Sequence, residues 1–294
     1  NPVGLAELNT NKVMRNQAVG QVFANVDIMD NLTLNNEVNG TVSYGNDYVF
    51  QPTWEFGART NDQAQSTRRS SSSTYWQIRN YLNYNTSFEN LGVNAMGGHE
   101  VQVNRYNGLD GTRTGFPSNR VRELPAGDAQ TATNGSYAGS SSLQSFFGRL
   151  NLDYDNRYLL TGNIRGDAAS NFAPANRWGV FPSLSAAWRV TNEPFLEDTG
   201  ILDVVDQFKI RAGYGLVGNR DIGGYRYGDT YSIIPTDFGN GVQSANLGNP
   251  SIQWETTRST NLGLDVAVLD QRVNLSVDLY RKRVEDLLLN VPLP

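Results

Sequence analysis

The chain has 294 residues, no cysteine and one histidine, His99, which excludes a disulfide framework, a thiolate metal centre and a His-rich metal or hydrolytic site. A formal net charge of -5 and a pI near 5.0 leave no basic footprint for nucleic acid. Mean hydropathy is -0.47 and no apolar run approaches the ~18 residues of a membrane helix, but a membrane β-strand hides only alternate residues in lipid and keeps a low mean hydropathy.

Tyr, Phe and Trp make up 11% of the chain, and 29 glycines outnumber the 24 lysines and arginines, a mix suited to strands and turns. The opening "NPVGLAELNTNK" has no basic segment leading into an apolar one, so no signal peptide is expected there. The closing "LLLNVPLP" stops within an apolar phrase, and the chain is expected to be a piece of a larger protein.

Period-two alternation marks the strands in chain order. Val22, Ala24, Val26 and Ile28 share one face, and a tight turn at Asp30-Asn31 leads to Leu32, Leu34, Val38, Val42 and Tyr44. Trp76, Ile78, Leu82, Tyr84 and Phe88 run to a turn at Glu89-Asn90, followed by Leu91, Val93 and Ala95. Phe146, Leu150, Leu152 and Tyr154 meet a turn at Asp155-Asn156, followed by Tyr158, Leu160 and Ile164. Leu262, Leu264, Val266 and Val268 enter "DQR" at Asp270–Arg272, and Val273, Leu275, Val277 and Leu279 return. Polar loops are expected at about 45–74, 106–143, 166–177 and 216–252, and one helical turn at about 191–207 on the short-turn side. Short turns and long loops alternate through about ten strands, so all short turns fall at one end, as in outer-membrane barrels.

Aromatic spacing agrees with a membrane strand. In "RWGVFPSLSAAWRV", Trp178 and Trp188 lie on one face ten residues apart, with smaller residues between. At ~3.3 Å per residue and a tilt of ~40–45° this projects to roughly 24 Å, against a barrel's lipid-facing band of ~25 Å. Trp76 and Phe88 form a similar pair, so these four are expected at the membrane interfaces.

Several motifs point elsewhere and fail on context. "RAGYGLVGN" spaces Gly213, Gly215 and Gly218 as G-x-G-x-x-G, with Asp237 at the distance of a ribose-binding acid. A dinucleotide site needs an apolar buried strand before the glycines and a helix after them. Here Lys209 and Arg211 give the strand a polar face, and the glycine-rich "NRDIGGYRYGDTYS" disfavours a helix. Gly213 and Gly215 are instead expected on the polar face of a strand, and Gly218 where a loop needs positive φ. Arg165-Gly166-Asp167 is a chance R-G-D string, and the sequons at Asn31, Asn85 and Asn274 fall in strands or tight turns. His99 is expected as a polar surface or lumen residue. With no carboxylate pair placed for acid/base work, no catalytic residue, cofactor or metal is expected, and the chain is read as no enzyme.

The segments "YLLTGNIRGDAASNFAPANRWGVFPSLSAAWRVTNEPFL" (Tyr158–Leu196), "FKIRAGYGLVGNRDIGGY" (Phe208–Tyr225) and Leu247–Pro294 resemble the barrel of the SusC/RagA-like TonB-dependent outer-membrane transporters of Bacteroidetes. Asn1-Pro2-Val3 resembles a loop start in that family, and the likeness is looser before residue 158. "RGDAASNF" departs from the family's usual R-x-D-G-S-S-x-F phrase, which leaves the turn chemistry at Asp167–Phe172 unusual. The resemblance implies a ~22-stranded barrel with an N-terminal plug, a SusD-like lipoprotein partner, energy from TonB, and oligosaccharide or peptide cargo.

The expected fold is therefore all-β: an antiparallel transmembrane β-barrel of which residues 1–294 supply about ten strands of one barrel domain, without plug or closing strands. Even-numbered apolar residues would meet outer-membrane lipid; Thr161, Asn163, Arg165, Lys209 and Arg211 would face the lumen or plug. Tyr48, Trp54 and Phe56 in one loop and Tyr225, Tyr227 and Tyr231 in another are expected to meet substrate or the lipoprotein. The competing expectation is an all-β surface carbohydrate-binding or adhesin module, which would bury its apolar faces against a second sheet.

Overall fold

The computed structural model describes Gly4 and residues 8–289. Asn1-Pro2-Val3 and the last five residues of "LLLNVPLP" lie outside the described residues. Alternating residues with β-branched and aromatic side chains form fourteen strands: β1 (Thr10–Met29), β2 (Leu32–Gln51), β3 (Trp54–Phe56), β4 (Arg59–Asn61), β5 (Gln65–Phe88), β6 (Leu91–Thr114), β7 (Thr133–Tyr154), β8 (Tyr158–Ala169), β9 (Trp178–Arg189), β10 (Val205–Asn219), β11 (Thr230–Thr236), β12 (Gly239–Asn246), β13 (Glu255–Val268) and β14 (Val273–Glu285). Ten of them make one sheet in the order β1-β2-β5-β6-β7-β8-β9-β10-β13-β14, with β3–β4 and β11–β12 as separate hairpins. β1 and β14 are its edges and are not bonded to one another, so the sheet is open among the described residues. No described helix is long and apolar enough to cross a membrane.

The chain divides into two compact units. One comprises Asn1–Val22, Val38–Gln77 and Val103–Ser141; the other comprises Phe23–Glu37, Ile78–Gln102 and Ser142–Pro294. The four short turns expected from the sequence all belong to the second, while the two-residue turn between β3 and β4 belongs to the first. Asp30-Asn31 and Glu89-Asn90 are two-residue turns, Asp155–Arg157 has three residues and Leu269–Arg272 four. Glu89, Asp155, Asn156, Asp270 and Gln271 adopt φ of 48°, 55°, 52°, 57° and 59°, and Asp and Asn tolerate this left-handed region best among residues with a Cβ. Backbone bonds stitch neighbouring turns together: Asn85 N–H donates to Asn31 O at 2.9 Å, Asp155 to Asn90 at 2.7 Å and Arg189 to Arg157 at 2.8 Å.

The long connections are shorter than the sequence suggests, because the strands run on. β5 and β6 each have 24 residues and β7 has 22, where a membrane crossing needs only ~9–11. The serine- and threonine-rich stretch expected within the 45–74 loop is the first half of β5, and both ends of the expected 106–143 loop are strand. Serine alone is a weak strand former, but here its neighbours supply partners. The Thr67 and Thr112 hydroxyls bond at 2.8 Å, and Ser72 donates to Asn107 at 3.1 Å. The 216–252 region likewise holds the end of β10 and the β11–β12 hairpin. The stretch at 191–207 carries three 3-10 turns rather than one, at Val190–Asn192, Pro194–Leu196 and Ile201–Asp203.

Pro182 marks a local break. It has no N–H to donate, and the β9–β10 ladder stops beside it at Gly215 opposite Ser183. Phe181 fills the gap. A Cβ at Gly218 would overlap its ring, and one at Gly179 would lie 2.5 Å from it. This corrects the expectation for Gly218: it lies inside β10 opposite Thr256, and what it supplies is room for Phe181, not a positive φ. Phe181 packs at 5.3 Å on Trp254, which meets Phe172 at 5.1 Å, and Leu143 and Ala169 complete a small buried cluster. The "RGDAASNF" departure is part of it. Ala169 and Phe172 are fully buried, and Phe172 N–H closes a turn on Ala169 O at 3.3 Å.

Candidate functional site

Strand alternation gives the second unit one polar and one apolar face. On the polar face Glu100 of β6 is a hub, 1% exposed. Arg79 Nε of β5 donates to Glu100 Oε2 at 2.7 Å, Arg165 Nη2 of β8 donates to Oε1 at 3.1 Å, and Gln102 Nε2 donates to Oε1 at 2.7 Å. Arg79 also reaches Glu37 of β2 at 3.3 Å, and Arg165 Nε reaches Asp167 at 2.8 Å. Tyr81 and Ser145 add hydroxyls, to Glu37 at 3.3 Å and from Arg165 at 2.8 Å. Charged groups stay buried when paired and hydrogen-bonded, and this network meets both conditions. It also disposes of the R-G-D string: Arg165 and Asp167 bind each other, and Asp167 is 8% exposed.

A second node lies on the same face of β10, β13 and β14. Arg211 makes a two-pronged pair with Asp265, Nε to Oδ2 at 2.7 Å and Nη2 to Oδ1 at 2.9 Å, and reaches Asp278 at 3.1 Å. Gly263 lies under the guanidinium, where a Cβ would sit 2.6 Å from Arg211 Cζ. Lys209 stands opposite Asp265. Asn163 accepts from Arg149 at 2.7 Å and donates to Ser183 at 3.1 Å, and Thr161 stands opposite Asn151 and Ser185. Gly213 and Gly215 lie between Asn261 and Ser183 on this face, as expected of them. The five residues assigned to the polar face thus share it with Glu100, which no motif marks. A lone Glu in an alternating strand gives no sign of the arginines that other strands bring to it.

The opposite face of the same strands is apolar and uncovered. Ile164, Val180 and Leu184 are each more than half exposed, and Leu262 and Leu275 continue the surface on β13 and β14. Aromatic rows bound it at two levels. At one, His99 tilts against Phe146 at 4.7 Å and Phe146 stacks on Trp178 at 6.2 Å. At the other, Tyr154, Tyr158 and Trp188 stack at 6.4 and 6.5 Å beside the short turn. His99 therefore belongs to this aromatic row and not to the polar face. Trp76 and Phe88 are 37% and 59% exposed on β5.

The row at the short turn is anchored by Glu193, which no motif or spacing in the chain marks. Its Oε1 accepts from Tyr158 Oη at 2.5 Å and from Trp188 Nε1 at 2.7 Å, and its Oε2 accepts from Arg157 at 3.2 Å. The Tyr158 hydroxyl first, then the indole and the guanidinium, hold the Glu193 carboxyl below the usual carboxylate range. A folded-state value below the unfolded one adds stability that is complete above the ordinary glutamate range and is lost as pH falls through the lowered value. Thermal unfolding of the full-length protein from about pH 6 to about pH 3 is expected to show a fall that Glu193→Gln flattens. Equal slopes in both proteins would remove Glu193 from the account.

Of the aromatics expected in loops only Tyr225 and Tyr227 lie in a connection: β2 runs on through Tyr48, Trp54 and Phe56 form β3, and Tyr231 lies in β11. Trp54 and Phe56 tilt together at 5.2 Å on the β3–β4 hairpin, Tyr225 and Tyr227 meet at 6.0 Å, and Tyr231 is exposed on β11. Arg68 lies 3.7 Å over the Tyr48 ring, and Tyr48 packs beside a buried cluster of Phe50, Ala64 and Phe116. Tyr48, Trp54 and Phe56 lie in the first unit and the other three in the second.

Residues 6–294 match the family described as "TonB dependent receptor-like, beta-barrel", so the match includes the first half of the chain. The chain is 35% identical over 252 residues to "TonB-dependent receptor P3" of Formosa agariphila, covering 83% of this chain and 25% of that protein. It is 30% identical over 310 residues to "TonB-dependent receptor SusC" of Bacteroides thetaiotaomicron, covering 100% and 29%. The solved "Structure of the RagAB peptide transporter" superposes with a TM-score of 0.89 at 22% identity, over 98% of this chain and 32% of that one. The chain thus spans about a quarter to a third of the length of these relatives.

Proposed function

The chain belongs to the TonB dependent receptor-like β-barrel family, and on that footing we propose that its full-length protein actively imports oligosaccharides or peptides across an outer membrane. Residues 1–294 are all barrel wall in this account, and the plug and the closing strands come from the rest of the protein. One observation carries the proposal. The same strands set an exposed apolar face, with aromatic rows at two levels, against a face of paired charges. A soluble sheet would bury the first and hydrate the second; a membrane barrel puts lipid against the first and a polar lumen against the second.

Trp76, Phe88, Trp178 and Trp188 are assigned to the two membrane interfaces, and Thr161, Asn163, Arg165, Lys209 and Arg211 to the lumen or plug. Energy from TonB and an external SusD-like lipoprotein complete the assembly, as the SusC-like and RagA-like relatives suggest. Tyr48 on β2, Trp54 and Phe56 on β3, Tyr225 and Tyr227 in the connection after β10 and Tyr231 on β11 are the positions assigned to cargo or lipoprotein. The adhesin reading has less support, since no second sheet covers the apolar face among the described residues.

The test is uptake by whole cells. Cells carrying the full-length protein are expected to accumulate labelled oligosaccharide or peptide, and to stop when TonB is deleted or the proton-motive force is collapsed. The protein itself is expected in the outer-membrane fraction, released only by detergent. Recovery in the soluble fraction, or uptake indifferent to TonB, would overturn the proposal.

A further inference from the structure

Five neighbouring strands of the first unit, β1, β2, β5, β6 and β7, frame a groove lined by Arg15, Gly45, Ser71, Ser73, Tyr106 and Tyr137. Tyr106 and Tyr137 form one wall, with ring centroids 6.3 Å apart at 47°. Each ring lies on a glycine of the adjacent strand. A Cβ at Gly108 would overlap Tyr137, and a Cβ at Gly139 would overlap Tyr106. Glycine weakens a strand interior unless something must approach the backbone closely, and here two rings do so reciprocally. The rings are held by the sheet, yet their outer faces stay open: Tyr106 is 42% and Tyr137 55% exposed.

The other wall is Arg15, ion-paired with Asp47. Between the walls the floor is low and hydroxylated. A Cβ at Gly45 would stand 2.8 Å from Ser71 Oγ and 3.0 Å from Arg15 Nη1.

The chemistry of the groove selects its occupant. A lipid chain needs an apolar floor, and this floor is serine and glycine. An anionic ligand needs a spare cation, and Arg15 is neutralised by Asp47. An extended peptide binds by adding a strand to a free edge, and although β1 is an edge among the described residues, the tyrosine wall lies on β6 and β7, which already have a neighbour on each side. What remains is a ligand with flat C–H faces for the tyrosines, a rim of hydroxyls for the serines and Arg15, and no net charge.

We infer that this groove is a binding subsite for a neutral oligosaccharide, with pyranose rings stacked on Tyr106 and Tyr137 and hydroxyls bonded to the serine floor and Arg15. The inference rests on the import proposal and deepens it by naming the class of cargo. The full-length protein in detergent is titrated calorimetrically with maltohexaose, laminarihexaose, xylohexaose and mannohexaose, and with an uncharged hexapeptide. At least one hexasaccharide is expected to bind. Tyr106→Ala and Tyr137→Ala should each weaken it by roughly tenfold, while the Tyr106→Phe/Tyr137→Phe pair stays within about threefold. Ser71→Phe, which fills the floor and leaves both rings in place, should also abolish binding, so the test survives misfolding of either alanine variant. Failure of all four sugars to bind, binding unchanged in these variants, or selective binding of the peptide would overturn the subsite. The import proposal is judged separately, by TonB-dependent uptake in wild-type cells.

Discussion

Replacing Glu100 with alanine is expected to destabilise the full-length protein by about 3 kcal/mol, among the largest single effects on the polar face. The carboxylate is the shared acceptor of Arg79, Arg165 and Gln102, and almost none of it reaches solvent. Its removal leaves two guanidinium groups without their common counter-charge. The loss stays at the lower end of the range for broken buried pairs, because Arg79 keeps Glu37 and Arg165 keeps Asp167 and Ser145. Glu100→Gln retains an acceptor oxygen and should cost less than Glu100→Ala. The check is denaturant unfolding in detergent, with Arg79→Ala and the double variant completing a cycle. Coupling of about 1 kcal/mol or more between the two sites is expected, since they share one network. Additive losses would mean that Glu100 and Arg79 act independently, contrary to the geometry.

Trp254→Ala is expected to cost about 3–5 kcal/mol in the small buried cluster beside the β9–β10 break. Trp254 is 7% exposed, packs on Phe172 and Phe181, and donates its indole N–H to Arg177 O at 2.9 Å. Alanine removes the ring, opens a cavity and costs that carbonyl one of its two donors, leaving it Ala169 N–H at 3.2 Å. Trp254→Phe keeps most of the packing and loses only the hydrogen bond, so it should cost about 1–2 kcal/mol. Because the cluster lies under the connections at 170–177 and 249–254, hydrogen exchange should rise there first. Protection of β13 and β14 near their short turn should hold. Uniform loss of protection across all strands would show that the cluster supports more than these connections.

The Trp254 cluster illustrates how far the sequence reaches. Val180, Leu184 and Trp188 announce their face by spacing alone, and Asp155-Asn156 announces its turn because those residues tolerate positive φ. Phe181, Gly218 and Trp254 announce nothing: they come from three segments, and only the interrupted β9–β10 ladder brings them together. The same limit explains Ser70–Ser73. Local propensity reads loop, but β2 and β6 on either side of β5 supply ladder partners, and the strand continues. Tyr106 and Tyr137 carry no local signal either, because nothing near them in the chain marks them as lying over Gly139 and Gly108.

The sequence by itself determined strand character, the two faces and the hairpin turns. Each depends on φ/ψ preferences and a two-residue period that act within a few positions. Tertiary structure alone decided how far the strands extend, which glycine receives which ring, and which arginines meet Glu100. Those outcomes depend on register between segments tens of residues apart. Glu37, Arg79, Glu100 and Arg165 come from four strands, and a one-residue slip in any of them would turn its side chain to the apolar face.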